Sequence, residues 1–368
     1  MSILDGHKQA LDVLAQRART RSLIARRGAD FASNDYLGLS GSQALRDAVA
    51  AAIERGVAIG AGGSRLLRGN DPEHEALEAE AAAFFGSEAS LWFSSGFAAN
   101  SAIFATLPAQ RDLIVHDALI HASAHEGMRL GRATTVSAAH NDPQAFADAI
   151  GTWRAGGGKG RAWIAVESLY SMDGDIAPLA DLAEIAARED AFLVIDEAHA
   201  TGVFGPDGRG LAANLEGREN VVTLRTCGKA LGTEGALVCA ARALIDTLVS
   251  RARGFIFSTA PSPLMAAATR ASLHLLVAEP ERRAQLHDLI AHAATVLPAT
   301  GSQIVPVIIG DDARTMAIAA ELQANGFDVR GIRPPTVPPG TSRLRISLTN
   351  NVTRDQVSGL AARIEELA

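Results

Sequence analysis

Hydrophobic positions along this chain follow two rhythms. Short, nearly unbroken apolar runs recur between residues 89 and 240: SLWFSSG, RDLIVHD, RAWIAVES, AFLVIDEA, VVTLRTC and GALVCA. Strands buried on both faces lose the polar alternation and read this way, and helices between them imply parallel pairing through crossovers. From about residue 45 to 240, helical patterns do alternate with these runs. Residues 1–28 read as one Arg-rich amphipathic helix with Leu4, Leu11 and Leu14 on one side, broken by the turn formers of FASNDYLGLS. The glycine-rich RAGGGKGR at 154–161 predicts a flexible connection. After a long helical stretch around 262–297 the texture changes. SQIVPVIIG, FDVRGIRPPTVPPG and SRLRISLT predict a small sheet with helices, a second domain. An α/β sheet presents ligands at the C-terminal ends of its strands, so the residues that follow each apolar run are the ones to inspect.

Composition narrows the class. A chain of 368 residues, 48% hydrophobic and 20% charged, is an ordinary globular protein long enough for two domains. A formal net charge of −7 argues against a general nucleic-acid surface, and 5% aromatic residues against a stacking platform for single strands. No partner of that class is expected. Cys227 and Cys239 match no metal motif and build no disulfide framework; they read as small buried residues in a reducing compartment. No apolar run is long enough for a signal peptide or a membrane span, so a cytoplasmic protein with no membrane partner is expected.

The run AFLVIDEAHATG (191–202) allows two incompatible chemistries. Asp196-Glu197-Ala198-His199 resembles the magnesium-binding strand end of a nucleotide-driven motor. That reading requires an upstream G-x-x-x-x-G-K-[ST] loop to neutralise the phosphates. Gly158-Lys159 has Trp153 in place of the first glycine and Gly160 in place of the hydroxyl. Gly228-Lys229 has Thr223 and Ala230 there, and lies downstream. Without a phosphate cradle the acidic pair has no nucleotide to serve, and Glu197 becomes a structural residue.

The strand ends hold a different inventory. A lysine between a glycine and a small residue, just after a buried strand, suits Schiff-base formation, and Lys229 stands so. Asp196, at the end of a neighbouring strand, can face a pyridine nitrogen, and that pair is the protein signature of pyridoxal 5'-phosphate (PLP) enzymes. In SSGFAAN, Gly96 permits close backbone approach, and the residues from Phe97 can open a helix whose amides bind a phosphate. The hydroxyl of Thr226 adds a donor. Taken singly, each part has a bland alternative. Gly-Lys-Ala can be a solvated turn and Asp196 a cap. His121 can be a satisfied polar residue, and one of Arg343 and Arg345 a solvated charge. Their ordered coincidence favours the cofactor.

Nine stretches in order carry a resemblance over nearly the whole chain: FASNDYLGLS, GAGGSRLLRGNDPEHEALE, SSGFAAN, HASAHEG, ESLYSMDGD, IDEAHATGVFG, TCGKALG, FIFSTAPSP and IRPPTVPPGTSRLRISL. The chain resembles the α-oxoamine synthases, PLP enzymes of fold type I. The fold this implies is α/β, with a mostly parallel sheet between helices in a large domain and a smaller α+β C-terminal domain. The boundaries expected are 1–40 for an N-terminal helix and substrate-lining segment, 41–275 for the cofactor domain and 276–368 for the small domain. The activity implied is decarboxylative condensation of an amino acid with an acyl thioester. IRPPTVP and AHND (139–142) resemble the branch that joins L-alanine to a pimeloyl thioester.

Residue by residue, the resemblance implies that Lys229 carries the cofactor, Asp196 pairs with its ring nitrogen and His121 stacks on the ring. His199 and Ser171 would bond its phenolic oxygen, and Gly96, Phe97 and Thr226 its phosphate. Ser258, with Thr259, would reach the phosphate across the interface of a homodimer. Arg345 would take the amino-acid carboxylate, with Arg343 assigned to the opposite strand face. Asn34 and Thr336 would line the substrate site, Glu167 would position the acyl group or water, and Arg21 would meet the acyl substrate. Two departures stand out. Thr233-Glu234 replaces a small residue and an aromatic, and the segment between Arg27 and Phe31 lacks a hairpin.

Overall fold

The computed structural model describes residues 2–17 and 19–367. In chain order its elements begin with α1 (Asp5–Gln16), β1 (Ala29–Asp30), α2 (Gln43–Glu54), α3 (Pro72–Phe85), β2 (Ala89–Phe93), α4 (Gly96–Thr106) and β3 (Leu113–Asp117). Next come α5 (Ala122–Leu130), β4 (Thr134–Ala138), α6 (Pro143–Ala155), β5 (Ala162–Glu167), α7 (Leu179–Arg188) and β6 (Phe192–Asp196). They continue with β7 (Val221–Thr226), β8 (Ala236–Ala240), α8 (Arg242–Arg251), α9 (Arg253–Ile256), α10 (Pro263–Ala278) and α11 (Pro280–Ala293). The last are β9 (Ile304–Gly310), α12 (Asp312–Ala324), β10 (Phe327–Asp328), β11 (Arg330–Ile332), β12 (Ser342–Ser347) and α13 (Arg354–Leu367).

The chain forms two compact units. The larger comprises residues 34–171 and 175–285, the smaller 1–33, 172–174 and 286–368. The small unit therefore takes in the N-terminal segment up to Ser33, and its C-terminal part starts at Leu286, inside α11, rather than at residue 276.

The large unit is built on a seven-stranded sheet in the order β2-β8-β7-β6-β5-β3-β4. The six apolar runs read from the sequence are all strands of this sheet. Period-two alternation deals their side chains to two cores: Ile114, Trp163, Val194 and Val238 on one face, and Val115, Ile164, Leu193 and Ile195 on the other. Neither face is left for water, and the runs carry no polar stripe for that reason. The pairing is parallel except around β8, which runs antiparallel to both β2 and β7. No helix separates β7 from β8, so the crossover that enforces parallel pairing is missing there and the chain simply turns back through residues 227–235.

One strand escapes the apolar signature. β4, TTVSA, sits at the sheet edge with four of its five residues exposed, and it pairs with β3. Two helical expectations also change. The N-terminal helix spans only Asp5–Gln16 and buries nothing. Beyond Leu14 the next large apolar residues are Leu23 and Ile24, which break the helical spacing, and residues 19–27 are irregular. The stretch at 262–297 is two helices, because Pro280 cannot continue the hydrogen-bond ladder of α10.

In the small unit, β11-β12-β9 form an antiparallel sheet, and β1 pairs with β10 in parallel. Among the described residues no helix is long and apolar enough to cross a membrane.

Candidate active site

A cavity of about 240 Å³ opens in the large unit at the C-terminal ends of β5, β6 and β7 and the N-terminus of α4. It gathers eight of the residues singled out from the sequence: Gly96, Phe97, His121, Glu167, Asp196, His199, Thr226 and Lys229. Asp196 is the last residue of β6 and stands in register with Glu167 at the end of β5. Its Oδ1 accepts the amide of Ala198 (2.9 Å) and its Oδ2 the side-chain amide of Asn100 (2.7 Å). The turn after β6 returns His199, 5% exposed, whose Nε2 lies 3.0 Å from Lys229 Nζ and whose Nδ1 lies 2.6 Å from the Tyr36 hydroxyl. That hydroxyl donates to Asn34 Oδ1 at 3.0 Å, which ties Asn34 to the same group.

At the other end of the cavity, α4 starts under a Ser95 cap that accepts the amide of Ala98, leaving the first turn at Gly96 and Phe97 to face the space. Gly96 is required by close approach. A Cβ there would come within 2.6 Å of Thr226 Cγ2, closing the concavity that the helix start and the threonine form together. Thr226 donates its hydroxyl to the Ala198 carbonyl at 3.2 Å.

The electrostatics separate the cavity groups. Burial, helped by Asp196, pushes the Glu167 carboxyl well above the usual range, against the opposing pull of Lys229. Its Oε2 accepts the backbone amide of Ser171 at 3.1 Å, while its buried Oε1 has no hydrogen-bond partner among the described residues. The ring of His121 has an edge open to the cavity, yet the protein around the rest of it lowers its pKa by desolvation. Asp196 opposes that effect and Lys229 adds to it. Burial pushes both free thiols up, Cys239 to about 12, which leaves neither as a nucleophile.

The remaining expected residues fall elsewhere. Ser171 is buried beside Glu167 without lining the cavity. Ser258 and Thr259 are exposed and line a second, smaller cavity with Arg65 and Phe255. Arg21, Thr336 and Arg345 belong to the small unit, where Arg21 and Thr336 are exposed and Arg345 is buried on β12 beside Ser347. Arg343 corrects the sequence reading. Positions two apart on a strand share a face, and both arginines are buried, Arg343 in an ion pair with Asp173. Glu234 is exposed, and Thr233 ties its hydroxyl to the Cys227 carbonyl.

Asn100, Ser123 and Tyr36 were missed. Asn100 lies one turn beyond Gly96 on α4, so the spacing alone could have placed it on the cavity face. Ser123 and Tyr36 lie inside HASAHEG and FASNDYLGLS, but the contacts that bring them to this group come from tertiary packing.

The residues present fit the expected cofactor. A concave helix start suits a phosphate, a carboxylate held by two donors suits a ring nitrogen, and an amine lies beside them. An orphaned acid, Glu167 Oε1, awaits a partner in the same space.

A family model described as "Aminotransferase class I and II" matches residues 26–364. An 8-amino-7-oxononanoate synthase of Anaeromyxobacter dehalogenans is 44% identical over 340 residues, covering 90% of this chain and 84% of the relative. One from Methylobacterium nodulans is 42% identical over 360 residues, covering 96% and 92%. Among solved structures, an 8-amino-7-oxononanoate synthase of Francisella tularensis superposes with a TM-score of 0.77 at 30% identity, covering 92% of this chain and 97% of the other. A serine palmitoyltransferase of S. paucimobilis with a bound PLP–myriocin aldimine superposes with a TM-score of 0.88 at 25% identity, covering 100% and 98%.

Proposed function

This chain belongs to the aminotransferase class I and II family, among its α-oxoamine synthases, and from that premise we propose that it condenses L-alanine with a pimeloyl thioester. The products are 8-amino-7-oxononanoate, the free thiol carrier and carbon dioxide. The enzyme is a PLP-dependent acyltransferase, and the step belongs to biotin biosynthesis. The observation that carries the proposal is the single cavity that holds Lys229, Asp196 and His121 with a phosphate-shaped concavity at Gly96 and Thr226.

When bound, PLP withdraws electron density from the α-carbon of an amino acid attached to it. Lys229 Nζ would hold the cofactor and would serve as the base that takes the α-proton and returns it. Asp196, fixed by Ala198 and Asn100, would keep a proton on the ring nitrogen. His199 bonds Lys229 at rest and, with Ser171, would hold the phenolic edge. The amides of Gly96 and Phe97, with the Thr226 hydroxyl, hold the phosphate. Arg345 anchors the alanine carboxylate through its planar fork, and Asn34 and Thr336 line the substrate. His121 donates to the thioester carbonyl as charge develops there. Glu167 holds the acyl group or a water.

The active unit is a homodimer. Ile59, Leu67 and Phe257 leave 75%, 84% and 72% of their surface exposed on the isolated chain, apolar side chains that a second copy would cover. Phe257 stands next to Ser258, which reaches the partner's phosphate. Two buried unpaired thiols suit a reducing, cytoplasmic setting.

The deciding experiment is thiol release from pimeloyl-CoA with alanine, glycine and serine in turn, with the product weighed by mass spectrometry. Alanine should be preferred and the product should be 8-amino-7-oxononanoate. Preference for glycine or serine assigns the chain to a sister reaction, keto acid without thiol release assigns an aminotransferase, and PLP binding with neither product removes catalysis. Arg345→Ala should raise the KM for alanine far more than that for the thioester. Equal effects would contradict the carboxylate role.

A further inference from the structure

We infer that Asn100 and Ser123 are positioning residues that hold His121 with its hydrogen on Nε2, as a donor into the cavity. The inference rests on donor arithmetic. Asp196 Oδ2 is an acceptor, so the nitrogen of the Asn100 amide must face it, at 2.7 Å. The same Nδ2 stands 2.9 Å from Ser123 Oγ and gives it the second hydrogen. Ser123 Oγ, accepting there, has its own hydrogen to place, and His121 Nδ1 lies 2.7 Å away. The backbone N–H of Ser123 points at that same Nδ1 from 3.2 Å, as the first capping bond of α5. Two donors on one ring nitrogen require that nitrogen to be bare. A neutral imidazole then carries its hydrogen on Nε2.

The packing that sets this chain is rigid. Helices α4 and α5 touch so closely that a Cβ on Gly127 would lie 2.9 Å from the Asn100 carbonyl oxygen. Asn100 is 3% exposed and Ser123 1%, so neither has water as a substitute partner. Protonating His121 at Nδ1 would set the new hydrogen against the Ser123 N–H and take away the acceptor of the Ser123 hydroxyl hydrogen. The charged and titratable groups around His121 are Asp196 at the end of β6, Glu167 at the end of β5, His199 after β6, Lys229 between β7 and β8, and His125 one turn along α5. Helix α4 brings no charge. Burial and Lys229 favour the neutral ring and Asp196 opposes them, with the neutral form favoured on balance.

The consequence deepens the proposed reaction and rests on that reading. A ring with its hydrogen on Nε2 cannot take a proton from substrate at that atom. His121 is therefore the carbonyl-polarising donor, and the α-proton is left to Lys229. The wire also links the two: the amide that orients Ser123 is the one that holds the carboxylate facing the cofactor nitrogen.

The test is a histidine ¹⁵N spectrum of the labelled protein, with and without PLP, His121 being assigned by the signal lost in His121→Gln. The expected pattern is a bare Nδ1 and a protonated Nε2, with mixed tautomers in Ser123→Ala and the wild-type pattern in Ser123→Thr. In parallel, kcat/KM for the thioester should fall about tenfold in Ser123→Ala, the factor one hydrogen bond carries. In Ser123→Thr it should stay near the wild-type value. A hydrogen on Nδ1 in the wild type overturns the inference, as does a folded Ser123→Ala with both spectrum and kcat/KM unchanged. If Ser123→Ala does not fold, the wild-type spectrum decides alone. A wild type that releases no thiol with any amino acid defeats the proposed reaction, while the spectrum still decides the tautomer.

Discussion

Two buried polar clusters meet at the ends of β6 and β7, and they have opposite characters. In one, the Arg225 guanidinium pairs with Glu197 and Glu216, donates to the Arg209 carbonyl and lies over the Phe85 ring, 4.0 Å from its centre. Glu197 Oε1 accepts the amide of Ala212, and the cluster is packed round by its own partners, with Arg225 Nε left without a hydrogen bond among the described residues. In the other, the cavity cluster of Asp196, Glu167, His199 and Lys229, one buried oxygen has no hydrogen-bond partner among the described residues and space is left beside it. Asp196 and Glu197 are adjacent, and alternation sends one to each cluster. The lesson is that burial alone does not mark function. A buried charge packed round by partners from its own chain is architecture, whereas one that borders open space can meet a ligand.

The comparison breaks if mutations on the two sides have the same effect. On the cavity side Lys229→Ala should lower turnover by at least about 10³-fold and remove the visible absorbance of bound PLP, leaving the unfolding midpoint of the cofactor-free protein nearly unmoved. An unchanged spectrum would sink the assignment. On the architectural side Arg225→Met should cost about 3–5 kcal/mol of stability, because Glu197 and Glu216 are left buried and unpaired. Denaturant unfolding measures it, and a loss under about 1 kcal/mol would mean that the cluster is not the structural one.

A third, smaller cluster tests the boundary between the two. His140 Nδ1 lies 2.8 Å from Asp117 Oδ1 and its Nε2 2.8 Å from Asp175 Oδ2. Burial alone would lower its pKa, but the hydrogen bonds and charges of the two aspartates outweigh it and raise the value. A histidine raised in the folded state contributes stability that is complete below its ordinary value, about 6.5, and lost as pH rises through the raised one. His140→Gln should therefore cost about 2 kcal/mol near pH 6, and the gap to wild type should narrow as pH rises. A gap that is flat with pH would show that the imidazole is not charged in the clamp.

How far the letters alone reach follows from the same contrast. Strands buried on both faces announce themselves, and so does the order of residues at their ends: Asp196, His199, Thr226 and Lys229 were legible because each follows an apolar run. What stayed hidden depends on partners distant in sequence. β4 looks polar because it is an edge, Asn100 and Ser123 matter only because α4 and α5 touch, and Arg343 is buried because Asp173 neutralises it. The antiparallel β8 was readable, since no helix precedes it, but the apolar texture of its neighbours overrode that signal.

The smallest effect belongs to a carboxylate in neither cluster. Glu234 stands in the β7–β8 turn that carries Lys229, where the resemblance leads one to look for a change in acyl-chain preference, yet its side chain is exposed. In water a charge is screened within about 10 Å at ordinary salt, and it owes nothing to a buried partner. Glu234→Ala should therefore shift stability by less than about 0.5 kcal/mol and leave the order of preference among acyl thioesters of different length unchanged. A reordered chain-length profile in the Ala variant, at unchanged stability, would place this carboxylate on the acyl path in the assembled dimer. It would also show that partners from a second chain can complete a site as well as those from its own.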